Sequence, residues 1–214
     1  LVAEAKAQHA VLTFGRFQPP TVGHEKLVGV LADTAKRKGG TPFLFPSRTN
    51  DKKKNPLTPK AKVKFLKSVF PQVKVVDDAG SRTIFEALDY LVKKGFKTAT
   101  IVVGGDRIGE FEKTVVPYTD KIGMDNIDFV GAGARDPDAT GVEGMSASKL
   151  RAAALDGDFD TFRSGMPKRA SSKDSKMLYD EIRKVIGANE EYDEDSLEGT
   201  DGLRKKYQRD TPGQ

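Results

Sequence analysis

The chain has no cysteine and no tryptophan, and its 214 residues include only two histidines, His9 and His24. Without cysteine there is no disulfide, no thiolate nucleophile and no zinc–sulfur site. Two histidines are too few for a His-rich metal centre, so no residue is assigned as a metal ligand. No apolar run approaches the roughly 20 residues that a bilayer-spanning helix needs, and the first residues carry no secretory pattern. The expectation is therefore a cytoplasmic protein with no membrane partner. Hydrophobic residues make up 37% of the chain, enough for one domain with a proper core and an appendage. A formal charge of +5 and a pI near 9.2 suit nucleotide phosphates and nucleic acid equally well, so charge does not choose between them. The basic residues are scattered and lack interleaved aromatics, so no nucleic-acid partner is expected.

What the chain does have is an unusual stretch near its start, Gly15-Arg16-Phe17-Gln18-Pro19-Pro20-Thr21-Val22-Gly23-His24. The apolar run Ala10–Phe14 before it is short enough to be a buried parallel strand. Residues 25–38 after it place Leu27, Val30, Leu31 and Ala35 at helical spacing. The stretch is thus a loop at the carboxyl end of a first strand, where open α/β sheets bind ligands. Gly15 allows a sharp turn, the two prolines stiffen the loop, and Gly23 leaves room for an anion beside the backbone. His24 stands at the helix start, where free N–H groups and the dipole favour phosphate. On spacing alone, a phosphate site and a polar helix cap remain equally good readings.

The rest of the chain alternates strand and helix. Thr41–Phe45 reads as a second strand, followed by a polar, basic segment over 46–57. Thr58-Pro59 opens a helix with Val63, Leu66 and Phe70 buried, and with Lys60, Lys62, Lys64 and Lys67 as a solvated face. Val73–Val76 is a third strand, and Ser81 caps a helix running from Arg82 to Lys94. Arg82 is either a cation facing the pocket or an ordinary surface residue. Thr98–Val103 is the strongest strand and runs into Gly104-Gly105-Asp106-Arg107. There Asp106 is a candidate for a nucleoside contact or a helix cap. Ile127–Val130 is a fifth strand, and 131–144 reads as a glycine-rich flexible loop. Met145-Ser146-Ala147-Ser148-Lys149-Leu150-Arg151 then brings two hydroxyls and two cations to a helix N-terminus, a compact anion receptor.

Two of these segments resemble the signatures of the cytidylyltransferase-like nucleotidyltransferase superfamily. Thr21-Val22-Gly23-His24 is similar to (T/H)xGH, and Met145–Arg151 to ISxTxxR, with Met145 for the Ile and Ser148 for the Thr. The lead-in Gly-Arg-Phe-Gln-Pro looks most like the nicotinamide mononucleotide (NMN) adenylyltransferase branch. The resemblance spans about residues 10–155. It implies a Rossmann-like, doubly wound, mainly parallel five-stranded sheet with C-terminal helices. It also implies transfer of AMP, or another NMP, from a nucleoside triphosphate to a phosphorylated small molecule, with release of pyrophosphate. Mg²⁺ would arrive with the ATP. Under it His24, Thr21, Lys149 and Arg151 are catalytic, and Gly15, Arg16, Phe17, Gly23, Gly104, Gly105, Asp106, Ser146 and Ser148 bind nucleotide. Asn55, Arg48 and Arg82 lie on the acceptor side, with Asn55-Pro56-Leu57 matching a turn of the family.

The chain departs from the branch in having no tryptophan to stack on nicotinamide; Phe17, Phe45 and Phe85 are the available substitutes. A different class of function keeps the fold as a nucleotide-binding or structural module of a larger assembly. The expected layout is a lead segment over 1–9, a nucleotidyltransferase domain over 10–165, a C-terminal helix over 166–187 and a polar, flexible tail over 188–214. That tail is a candidate surface for a homo-oligomer or a larger assembly.

Overall fold

A computed structural model describes residues 8–133 and 144–197, with side chains of the last helix described to residue 187. It is a doubly wound α/β fold. Five parallel strands, β1 (Gln8–Gly15), β2 (Thr41–Pro46), β3 (Lys74–Val75), β4 (Phe96–Val103) and β5 (Asn126–Gly131), form one sheet in the order β3-β2-β1-β4-β5. The helices are α1 (Val22–Lys38), α2 (Pro59–Val69), α3 (Ile84–Lys93), α4 (Ile108–Val115), α5 (Thr119–Ile122), α6 (Ala147–Leu155), α7 (Phe159–Ser164) and α8 (Ser172–Leu197).

Alternation along each strand sends side chains to opposite faces and so builds two cores. Val11, Leu44 and Val102 pack with α1, α2, α6, α7 and α8 on one face. Ala10, Leu12, Phe43, Phe45, Ala99, Ile101 and Val103 pack with α3 and α4 on the other. The strand order reverses between β1 and β4. There the ladder stops at Leu12–Ile101, although β1 stays paired with β2 as far as Gly15–Pro46 and β4 with β5 as far as Val103–Gly131. The sheet therefore splits at its carboxyl end at the topological switch point, where α/β folds place ligands.

Local signals explain most boundaries. Gly39 closes α1 at φ 62, in the left-handed region. Thr58 caps α2, accepting from the Ala61 N–H at 3.3 Å, with Pro59 in the first turn. The start of α3 differs from expectation. Thr83, not Ser81, is its N-cap, because Glu86 reaches back to the Thr83 N–H at 2.7 Å and closes a capping box; Ser81 instead donates to Asp78 at 2.8 Å.

α8 also runs further than expected. It is helical to Leu197, so the first part of the segment expected to be a flexible tail continues the helix. It shares the core through Leu178, Tyr179, Ile182 and Ile186. Glu181 accepts from both the N–H and the hydroxyl of Thr58, tying α8 to the start of α2. Most of the lead segment, most of the 131–144 loop and the remainder of the tail lie outside the described residues. Among the described residues no helix is long and apolar enough to cross a membrane.

Candidate functional site

The β1–α1 loop is fixed from below. Phe17 adopts φ 49, costly for a residue with a side chain, and it is held there because its ring is buried. The ring lies 4.8 Å from that of His24. A Cβ at Gly15 would lie 3.0 Å from Cε2 of Phe17, so Gly15 is needed for this close approach rather than for a turn. Phe17 thus forms the floor of the loop and is closed to a stacking base. Phe45 is likewise core, edge-on to Tyr90, and half-buried Phe85 packs edge-on against Tyr118. The stacking role considered for Phe17 and Phe45 is excluded by their burial.

Gln18 and its neighbours join the loop to two distant segments. The buried amide of Gln18 accepts from the Leu57 N–H at 2.9 Å and donates to the Leu57 carbonyl at 3.0 Å. This links the first loop to the Asn55-Pro56-Leu57 turn. The Gln18 carbonyl accepts from Arg151 Nη1 at 2.7 Å, across 133 residues of chain. Val22 N–H, at the first residue of α1, donates to the Gly165 carbonyl at 2.9 Å, joining the start of α1 to the end of α7. The β1–α1 loop and α6 therefore meet.

His24 Nδ1 lies 3.0 Å from the Thr21 main-chain N–H, which can only donate. Nδ1 therefore accepts, and the neutral ring carries its proton on Nε2. The Thr21 hydroxyl also lies 3.0 Å from Nδ1, and Thr21 itself is buried. The Thr21 hydroxyl is thus turned toward the imidazole. Gly23 is exposed, and a Cβ there would meet only the Thr21 hydroxyl oxygen at 3.6 Å. The space beside the backbone is open, as expected.

At the start of α6, Ser146 is the N-cap and accepts from the Lys149 N–H at 3.2 Å. Lys149 Nζ bonds the Gly144 carbonyl at 3.0 Å, and Arg151 Nη2 donates to the Ser148 hydroxyl at 3.1 Å. The partly buried guanidinium of Arg151 is pushed below its ordinary range by burial first, then by Arg16, with Asp51 opposing. Arg16, Arg151 and Asp51 therefore share one electrostatic neighbourhood. The Arg16 side chain is exposed.

The other residues expected at the site are differently employed. The Gly105 N–H is spent on the Gly133 carbonyl at 2.9 Å, and Gly104 precedes a short 3₁₀ turn in which Asp106 is exposed. Arg107, not Asp106, is the N-cap of α4. Arg48 pairs with Asp77 at 2.9 Å, so the β2 loop is tied to the segment after β3. Arg82 is exposed and its Nε reaches the Ala79 carbonyl at 3.4 Å. Asn55 is buried and donates its amide to the Asp51 carboxylate, leaving its own Oδ1 without a partner. The other Asp51 oxygen collects the N–H groups of Lys53, Lys54 and Asn55 at 3.0, 2.6 and 3.3 Å. These bonds, led by that from the Asn55 side chain, hold the Asp51 carboxyl at about 2. The lysine-rich segment is therefore a closed turn with Lys52, Lys53 and Lys54 on its exposed rim.

Three contributors were missed in the sequence. Gln18 sits between an aromatic and two prolines with nothing local to mark it. Asp51 with Asn55 four residues on is a turn signal that was there to read. Lys62, expected on the solvated face of α2, is fully buried. Its spacing to Leu66 and Val69, at i+4 and i+7, puts it on the apolar stripe. Neither a scan against protein-family models nor a search of curated proteins finds a match to this chain.

Proposed function

We propose that the chain is a nucleotidyltransferase that moves AMP from ATP to a phosphorylated small molecule, NMN being the first choice of acceptor. The observation that supports it best is the Arg151–Gln18 bond, which brings a cation from the middle of α6 onto the loop at the sheet's switch point. An acceptor phosphate oxygen attacks the α-phosphorus, the bond to the bridging oxygen of the β-phosphate breaks, and pyrophosphate leaves. Such chemistry depends on positioning and on neutralising charge as it builds. His24 donates Nε2–H to an oxygen beside the α-phosphorus, its tautomer set by Thr21. Arg151 and Arg16 hold the pyrophosphate portion, and the open backbone at Gly23 lets the phosphates approach α1.

The donors at this end of the sheet are guanidiniums, hydroxyls and an imidazole N–H, which suit phosphate oxygens. Mg²⁺ would come on the triphosphate, which it helps to neutralise, and keep most of its waters. Incubation with ATP, Mg²⁺ and a panel of phosphorylated acceptors, with pyrophosphate as the readout, tests the reading. Release with one acceptor supports it. ATP retention without release for any acceptor points to a binding module instead.

A further inference from the structure

Lys62 projects from α2 with its side chain fully out of solvent, and its ammonium meets main-chain carbonyls rather than a carboxylate. It donates to the Arg16 carbonyl at 2.9 Å and to the Ser47 carbonyl at 2.5 Å. These are the first residues beyond β1 and β2. Strand pairing ends at Gly15–Pro46, with one further bond from the Ser47 N–H to the Gly15 carbonyl at 2.7 Å. Past that point one loop runs on toward His24 and the other toward the Asp51–Asn55 turn, and Gln18 donates across them to the Thr49 carbonyl at 3.4 Å. Lys62 spans the gap just where the ladder stops. Gln18 makes a second bridge at Leu57.

Burying an ammonium on neutral acceptors is unfavourable, and an apolar side chain of similar length would fill the space without that cost. Arg48, from the β2 loop, adds repulsion, and no ion pair to Lys62 exists among the described residues. Burial first, and then Arg48, bring its pKa down to about 8. A side chain that only packed would not need to be charged here.

We propose that Lys62 is the positioning residue of this site, setting the distance between the loop after β1 and the loop after β2 and so between triphosphate and acceptor. It touches neither reactant. Its kinetic consequence rests on the nucleotidyl-transfer reading; its structural consequence does not.

The experiment compares wild type, Lys62→Met and Lys62→Arg. Hydrogen exchange of peptides covering 15–18 and 47–57 should be at least about tenfold faster in Lys62→Met, with α3 unchanged, because local opening controls exchange. Lys62→Arg, which keeps charge and donors, should restore protection. If wild type turns over, kcat should fall about 10–100-fold in Lys62→Met, the cost of a small misplacement, while ATP affinity changes less than threefold. A readout that needs no variant to fold is the ¹³C signal of lysine side chains in the labelled wild-type chain. One signal should titrate well below the ordinary lysine range, and Lys62→Arg should remove it if that variant folds. Loops that exchange alike in wild type and Lys62→Met, or an active Lys62→Met with wild-type kcat, would overturn the proposal. So would the absence of any such titrating lysine. Absence of turnover in wild type removes the transfer reading alone, since exchange and titration still decide the role of Lys62.

Discussion

The two ends of the sheet treat their charges differently. At the amino end Lys38 pairs with Asp128 at 2.5 Å, and His9 is spent between the Thr98 and Thr100 hydroxyls at 2.7 and 3.0 Å. At the carboxyl end Arg151, Lys149 and Lys62 rest on carbonyls or a hydroxyl, and none has a carboxylate within ion-pair distance among the described residues. Arg48, with Asp77, and Arg107, with Glu110 at 3.2 Å, are the exceptions. At the amino end Lys38 and His9 are spent on bonds that tie α1, β1, β4 and β5 together. An end whose cations lean on neutral groups retains field for an anion. The split between β1 and β4 lies at that second end.

Substitutions at the two ends should separate these roles. The largest effect is expected of His24→Ala, where loss of one charge-stabilising donor costs ~10²–10³ in kcat with little change in ATP affinity. Steady-state kinetics beside equilibrium binding checks it, and equal losses in both would contradict the assignment. Next comes a pair of glycines. Gly15→Ala drives a Cβ to 3.0 Å from the Phe17 ring and should destabilise by about 1–3 kcal/mol, seen as a lower Tm. Gly23→Ala meets open space, so Tm should hold while ATP binding weakens about tenfold, roughly 1.4 kcal/mol.

Lys62, at the carboxyl end, also makes stability depend on pH. The folded Lys62 loses its proton near pH 8, whereas the unfolded chain keeps it to about 10.5. The unfolded state therefore binds more protons in that window. The stability of wild type relative to Lys62→Met should rise with pH between those limits, by up to ~3 kcal/mol. Denaturant melts at pH 7 and 10 measure it, and a falling difference would contradict the burial of a charged Lys62.

The smallest effect belongs to the amino end. Asp128→Asn should cost under about 1 kcal/mol and leave any activity unchanged. The Lys38 bond is the first cause of the lowered Asp128 pKa, followed by Asn126. The contribution of Asp128 is thus present above the ordinary carboxylate range and lost as pH falls through its folded value, so the variant and wild type should converge in acid.

Much of the fold was legible because its signals are local. Apolar runs marked all five strands, Gly39 ended α1, and the Gly-Arg-Phe-Gln-Pro-Pro loop was placed at a strand end. The bonds that assemble the candidate site were not legible, because each joins residues far apart. Nothing near Gln18 indicates that its two faces serve Leu57 and Arg151. Nothing near Thr21 indicates that its hydroxyl lies against the His24 ring. Phe17 looks like a stacking ring until the space under Gly15 is measured. Lys62 shows how a residue type misleads, since lysine suggests solvent while its place on the helical stripe points inward.

On the proposed reading the loop after β1 and α6 form one anion-binding unit. Calorimetric titration of Mg²⁺·ATP into wild type and Arg151→Ala decides it. Saturable binding by wild type that weakens at least about tenfold in a normally folded Arg151→Ala chain is the expected result. A wild-type chain that does not retain ATP, or a variant that binds it equally well, would show that the loop and α6 do not.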